Sequence, residues 1–378
     1  MKLTDVVDRI NGNVDRFTTD LEYYIGGEHF ESNELEVTQR GLLKENLGKL
    51  GFKFHFAFQD RDVVFMARNP HLRKAGMVRF AGLCSDASYI LRSKDESVLS
   101  QEYLAVMLQS DHFWDYCESH KVGSVNFANN WSSIANYEFE LPSAEKQKEI
   151  SDKVWAAYRL KESYKKLLAA TEEMVKSQFI EMFGSVDDNP KSYDIKKVGD
   201  FAECFAGATP STKISSYWDN GNIPWMSSGE VHKVRVQDTD AKITQQGYDG
   251  CSTKMVPIHS IVIALAGQGK TRGTVAINDI ELCTNQSLCA IVPNEEVNYE
   301  YLFHNLRGRY KELRSMSGDV DGRGGLNLKH IQSIKVIVPP MSEQMKFVSI
   351  ARQADKSGFE LRKSIDAIDA VIKSLINS

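Results

Sequence analysis

Two short strings in this chain carry the residue types of a cofactor-binding loop. "ALAGQGKT", Ala264–Thr271, ends in the Gly-Lys-Thr of a phosphate-cradling GxxxxGK[ST] loop. Ala264 stands where the first glycine belongs. The following "RGTVAIN" reads as a strand, where a helix would have to point its N–H groups at the phosphates. "FAGAT", Phe205–Thr209, has the small residues of an AdoMet loop, but no acidic strand end follows it. No Asn/Asp-Pro-Pro-aromatic tetrapeptide occurs either; "RNPH" at Arg68 lacks the second proline and the aromatic. There is no HExxH and no carboxylate–lysine nuclease set. The nine histidines are dispersed, and the six cysteines without a CxxC pair read as reduced thiols, not a zinc site or a disulfide frame. The sequence therefore offers no catalytic residue, no metal site and no cofactor site of its own.

What remains with chemical reach is a set of basic residues in turn-rich segments. In the second half these are Lys254, Gln268, Lys270 and Arg272 of the "QGKTRG" turn, Arg307, Arg309, and Arg323 in the glycine-rich "SGDVDGRGG". In the first half they are Lys53, His55, Arg61, Arg68, Arg73, Lys74, Arg79 and Lys121. Arg and Lys reach phosphates and guanine edges, and Gln pairs with adenine. A glycine-rich loop lets backbone approach a groove closely. Each of these residues taken singly reads more readily as a solvated surface charge than as a base contact; their recurrence in both halves carries the expectation of a DNA-facing set. The formal net charge of −5 excludes a surface coated in basic charge but leaves local patches open. The longest apolar run, "SIVIALAG", is too short to span a bilayer, and the N-terminal segment has no apolar signal core, so a cytoplasmic protein is expected.

The elements that must hold these residues occur twice. At an offset near 198, "DVVFM" (Asp62–Met66) faces "SIVIA" (Ser260–Ala264), and "LCSDAS" (Leu83–Ser88) faces "LCTNQS" (Leu282–Ser287). "EYLAVML" (Glu102–Leu108) faces "EYLFHNL" (Glu300–Leu306), and "NWSSIANYEFELP" (Asn130–Pro142) faces "NLKHIQSIKVIVP" (Asn327–Pro339). Four matches in one order indicate an internal duplication. Each copy reads as a mixed α/β globule closed by a strand that stops at a proline. A long amphipathic run follows in each. Ser143 and Ser342 are the expected N-caps, with Glu145 and Glu343 in the first turns, where the helix dipole favours acid.

The first run presents Ile150, Val154, Leu168, Val175 and Phe179 at helical spacing over about 40 residues, with Gly184 as its stop. The second presents Val348, Phe359, Ile365, Ile368 and Ile372. Neither stripe can be buried by its own helix, so an antiparallel pair within the chain is expected; packing of each on its own globule, or an intermolecular coiled coil, are the other arrangements. The expected organisation is globule 1–142, helix 143–184, globule 185–340 and helix 341–378.

Over essentially its whole length, and most strongly from Lys197 to Gln344, the chain resembles the specificity subunits of type I restriction–modification systems. The strings that carry this are "KVGDFAECFAGATPS", "YWDNGNIPWMSSGEV", "CTNQSLCAIVP", "YEYLFHNL" and "GRGGLNLKHIQSIKVIVPPMSEQ", with the "PPxxEQ" turn into a long helix present as "PPMSEQ". The first half departs from this pattern: its turn is "LPSAEKQ", and "YYIGGEHFESNELEV" replaces the "IPW" segment. The resemblance implies an α+β fold with two target-recognition domains in tandem, joined by two long antiparallel coiled-coil helices. Each domain would read half of a bipartite site in double-stranded DNA, and the helices would set the spacer. It further implies docking of two methyltransferase subunits, which carry the AdoMet, and of two motor–nuclease subunits. A coiled-coil adaptor without DNA contact, and a self-contained DNA methyltransferase, are the competing readings; the missing motifs weigh against the second.

Overall fold

The computed structural model describes residues 1–267, 269–317 and 324–377. The chain divides into two compact units, Met1–Leu167 with Leu361–Ser378, and Leu168–Glu360. Both divisions fall inside long helices, Ala144–Phe183 and Met341–Ile376.

The two units are built on one plan. In the first, strands β1 (Val7–Ile10), β2 (Glu36–Val37), β3 (Val63–Met66), β4 (Ala75–Val78) and β5 (Ser88–Ser93) form a sheet in the order β1-β5-β3-β4-β2. In the second, β6 (Ala202–Ala206), β7 (Arg235–Val236), β8 (Ile261–Ala264), β9 (Val275–Asn278) and β10 (Leu288–Pro293) follow the order β6-β10-β8-β9-β7. Every pairing is antiparallel in both sheets except the edge pairs β2–β4 and β7–β9, which are parallel. Duplication is therefore visible strand by strand.

The central strands are apolar without alternation because both their faces are covered. Val63, Phe65, Met77 and Leu91 face a core shared with helices, while Val64, Met66, Val78 and Ile90 face a second sheet. Ile261, Ile263 and Ile277 alternate with Val262, Ala264 and Ala276 in the same way. The second sheets differ. The first unit has four strands, Gly41–Leu42, Tyr23–Tyr24, Gly82–Ser85 and Phe54–Phe58; the second has three, Ala241–Ile243, Ile223–Met226 and Cys283–Thr284.

The turns into the long helices share one device. Gln147 Nε2 donates to the carbonyls of Val98 (2.8 Å) and Pro142 (2.9 Å), and its Oε1 accepts from Ser100 N (3.1 Å). Gln344 Nε2 donates to Glu296 (2.9 Å) and Pro339 (2.8 Å), and its Oε1 accepts from Asn298 N (2.8 Å). Both amides are buried. This explains why the chain turns at a proline and then, a few residues on, spends a glutamine: the side chain satisfies backbone groups that the turn would otherwise bury unpaired.

The helix pairing is antiparallel. In the first unit Val154, Trp155 and Tyr158 share a core with Ile372, with Ile150 and Ile368 against it, and Lys161 pairs with Asp369 at 2.7 Å. In the second unit Val175, Phe179 and Phe183 share a core with Phe347, Val348, Ala351 and Ala354.

Several details depart from the sequence expectation. Phe359 is 63% exposed; the buried stripe passes through Ala351, Ala354 and Gly358, one position away. Leu168 and Ile365 are half-buried and outside the core clusters. Ser143 does cap, accepting from Lys146 N at 3.3 Å, but Ser342 lies inside the first turn, because Pro340 begins the helix and its carbonyl accepts from Glu343 and Gln344. The strand Lys335–Val338 pairs with Asp194–Lys197, whereas its first-half counterpart is reduced to a single bridge, Lys2 with Glu138. The expected stop at Gly184 has φ +74°, and its N–H reaches Ile180 O at 2.7 Å.

Gln344→Ala is expected to lower the unfolding free energy by roughly 2–3 kcal/mol, since it strands buried backbone groups. Phe359→Ser is expected to change it by less than about 0.5 kcal/mol. Urea denaturation compares them; equal losses would contradict the burial assigned to each.

Candidate nucleic-acid interface

In each unit the segment between the two central strands meets the loop that precedes the last short helix. In the first unit Asn129 N donates to Ala67 O (2.9 Å) and Asn69 N to Phe127 O (2.9 Å), so 67–74 lies beside 121–129. In the second, Leu326 N donates to Leu265 O (2.8 Å), which is the same bond at the matching positions. Gly267, Gly269 and Gly273 all have positive φ, which makes the "QGKTRG" segment a tight turn that side-chain-bearing residues would resist. Its backbone is fastened: Arg314 donates to Gly269 O (2.6 Å), and Thr274 Oγ1 donates to Lys270 O (2.7 Å).

The cations on these segments fall into three groups. Arg68 and Lys270 are exposed. Lys254 is also exposed, 5.2 Å over the Phe205 ring with Glu203 at 3.8 Å, and Arg307 lies half-buried against Phe303. A second group sits in surface contacts: Arg73 with Asp111 (2.5 Å), Arg79 with Glu36 (2.8 Å), Lys121 with Glu118 (2.6 Å), and Lys74 on the Gly27 carbonyl (2.6 Å). Exposed ion pairs are worth about 0–1 kcal/mol, so a phosphate can displace such a carboxylate. The third group is fixed. Arg272 is 3% exposed, with its guanidinium on the Gly324 carbonyl, and it supports the turn from beneath. Arg309 is held by Glu312 (2.5 Å) and by Lys335 O (2.6 Å). For these two the expected surface role is corrected to a structural one. Gln268 and Arg323 lie outside the described residues.

A further exposed arginine lies outside the residues expected from sequence. Arg40 lies 4.0 Å over Tyr23 and 4.7 Å over Phe80 on the second sheet of the first unit. These partners are 17 and 40 positions away, so no local pattern announces them. A cleft of about 180 Å³ in this unit is lined by Glu31, Glu34, Glu36, Thr38, Glu162 and Lys165, with Glu34 engaging Lys161 and Lys165 at 2.9 Å each. That acidic surface is unsuited to a phosphate backbone.

Nothing here is arranged for acid–base work. Burial pushes His304 down to about 4, so it is a neutral packing residue. Among the described residues no group of His, Cys, Asp or Glu is placed to hold a metal, and no helix is long and apolar enough to cross a membrane.

A duplicated α/β globule with cation-bearing turns, linked by paired helices, defines the class: a two-module protein with a helical spacer. Residues 190–368 match the family model described as the type I restriction modification DNA specificity domain. The chain is 27% identical over 163 residues to the type I restriction enzyme EcoR124I/EcoR124II specificity subunit of Escherichia coli, covering 42% of this chain and 40% of that protein. It is 26% identical over 195 residues to the MjaIX specificity subunit of Methanocaldococcus jannaschii, covering 50% and 44%. Each match spans less than half of the relative's length. In fold it is similar to the type I restriction-modification system S subunit from M. genitalium, with TM-score 0.56, 14% identity, and coverage of 100% of this chain and 94% of that one. A chain from a structure of type I R-M complex assembly and conformational transition gives TM-score 0.59 at 15% identity, covering 100% and 95%. The second half of the chain thus matches the DNA specificity domain of type I restriction–modification systems, and the chain as a whole is similar in fold to their specificity subunits.

Arg272→Ala and Arg309→Ala are each expected to cost roughly 1–3 kcal/mol of stability by removing the charged hydrogen bonds to the carbonyls of Gly324 and Lys335. Lys270→Ala is expected to cost less than about 0.5 kcal/mol. Denaturant melts of the three variants check this, and a large loss from Lys270→Ala would contradict the division into fixed and free cations.

Proposed function

We propose that this chain is the non-catalytic DNA-recognition subunit of a type I restriction–modification complex. Residues 1–142 and 185–340 act as two target-recognition domains, each reading one half of a bipartite double-stranded site. The long helices set the unread spacer. The observation that carries this reading is the repetition of the cation-bearing turn, fastened by the same backbone bond in both units, Asn129 to Ala67 and Leu326 to Leu265. Two copies of one reading surface in a single chain are free to diverge and so to recognise unlike half-sites, where a symmetric dimer is restricted to a palindrome.

The chemistry belongs to partners. Two methyltransferase subunits bring AdoMet and methylate adenine N6, and two motor–nuclease subunits join for cleavage. Exposed apolar side chains on the long helices, Leu160 in the first unit and Met174, Ile180 and Phe359 in the second, suit protein docking. The mild net negative charge fits a division of labour in which large partners supply many of the phosphate contacts.

The test is a genome-wide map of N6-methyladenine in cells expressing this chain with its methyltransferase subunit. The expected result is a motif of two short defined parts around an unread gap, lost when the chain is omitted. No methylation, or a continuous motif that persists without the chain, would overturn the proposal and favour an adaptor without DNA contact.

A further inference from the structure

We infer that Arg40 reads a guanine in the half-site of the first unit; this rests on the DNA-recognition reading above. The residue is exposed, and its guanidinium carbon sits in the corner between two rings, 4.0 Å from the centroid of Tyr23 and 4.7 Å from that of Phe80. The rings are braced in turn. Tyr23 and Phe80 meet edge to face at 5.7 Å, and Phe58 supports Phe80 at 5.6 Å. Gly82, between them, is required: a Cβ there would stand 2.7 Å from Phe58 and 2.8 Å from Tyr23 O. The neighbouring Glu22 carboxylate is engaged with the Tyr23 hydroxyl and raises its pKa. Among the described residues no carboxylate lies within ion-pair distance of Arg40. The first-half cations expected from sequence mostly have a carboxylate or carbonyl partner; this one has only a floor.

A guanidinium held in the corner of two rings set at 78° to each other is restrained by packing, while its N–H donors keep no carboxylate partner among the described residues. Such restraint suits a bidentate contact to guanine O6 and N7, with little rotamer entropy left to lose. A phosphate does not require such restraint, and Lys44 and Lys49, exposed on the same layer, are suited to it. Phe17 and Phe52, 66% and 81% exposed, stand on that layer too, so basic and aromatic side chains are interleaved there. Among the described residues the second unit shows no arginine between two rings: Trp218 and Trp225 pair edge to face at 5.1 Å on its small sheet. The platform is therefore a feature of one half-site only.

The experiment is the methyladenine map repeated with Arg40→Ala, Arg40→Lys and Arg40→Gln in the complete complex. With Arg40→Ala the requirement for one G·C pair relaxes by about tenfold or more in one half-site, while the other half-site is unchanged and reports a folded chain. Arg40→Lys does not restore it, and Arg40→Gln moves the preference at that position toward adenine. An unchanged motif with all three variants overturns the inference, as does a uniform loss over all sites with the motif intact, which is the mark of a phosphate contact. A wild-type map without a bipartite motif overturns the underlying recognition reading instead, so the two failures are distinguishable.

Discussion

Neither repeat of this chain can close its core with its own residues. The first globule needs Ile372 from the C-terminal end of the second long helix; the second globule needs Val175, Phe179 and Phe183 from the first. An amphipathic helix of 40 residues offers more apolar face than the globule before it covers. Leaving Phe179 or Val348 in water would forfeit about 1.5–3 kcal/mol each. In the second unit Val175, Phe179 and Phe183 are buried against residues of the other copy. This exchange makes the helices a shared part of both cores, and it makes antiparallel pairing the arrangement that satisfies both globules at once.

The buried glutamines give this arrangement its definition. Apolar packing is tolerant of sliding, but Gln147 and Gln344 each make three hydrogen bonds that fix where a helix leaves its globule. With the frame fixed in both units, the surfaces are free to differ. The five-stranded sheets match strand for strand. The small sheets do not: an added strand and an arginine platform stand in one, and a tryptophan pair in the other. In the proposed function, conserved frame and divergent surface are the two requirements for recognising unlike half-sites at a fixed separation.

Much of the frame is legible in the sequence because it depends on periodicity. Unbroken apolar strings such as "SIVIALA" mark strands covered on both faces, and i, i+4 spacing marks Val154, Val175 and Phe179. Legibility fails where the answer depends on a phase error of one residue. Phe359 looks like a core residue by type, yet the drift of the helix stripe puts Gly358 inside and Phe359 out. The site is harder still. A cation's sequence position does not say whether a carboxylate or carbonyl waits beside it, so Arg272 and Arg309 read like Lys270 until the fold shows them fastened. Arg40 is invisible for the opposite reason: its partners are two rings brought from a distant strand and a distant turn, and no short window contains them.

The central claim is that the modules read the half-sites and the helices set the distance between them. It is tested most directly by inserting seven residues into each long helix, between Leu167 and Leu168 and between Glu360 and Leu361, where the compact units divide. Seven residues add about 10 Å of helix, equivalent to about three base-pair steps. A methylation map of this variant should keep both half-sites and lengthen only the gap between them. Altered half-sites with an unchanged gap would contradict the account.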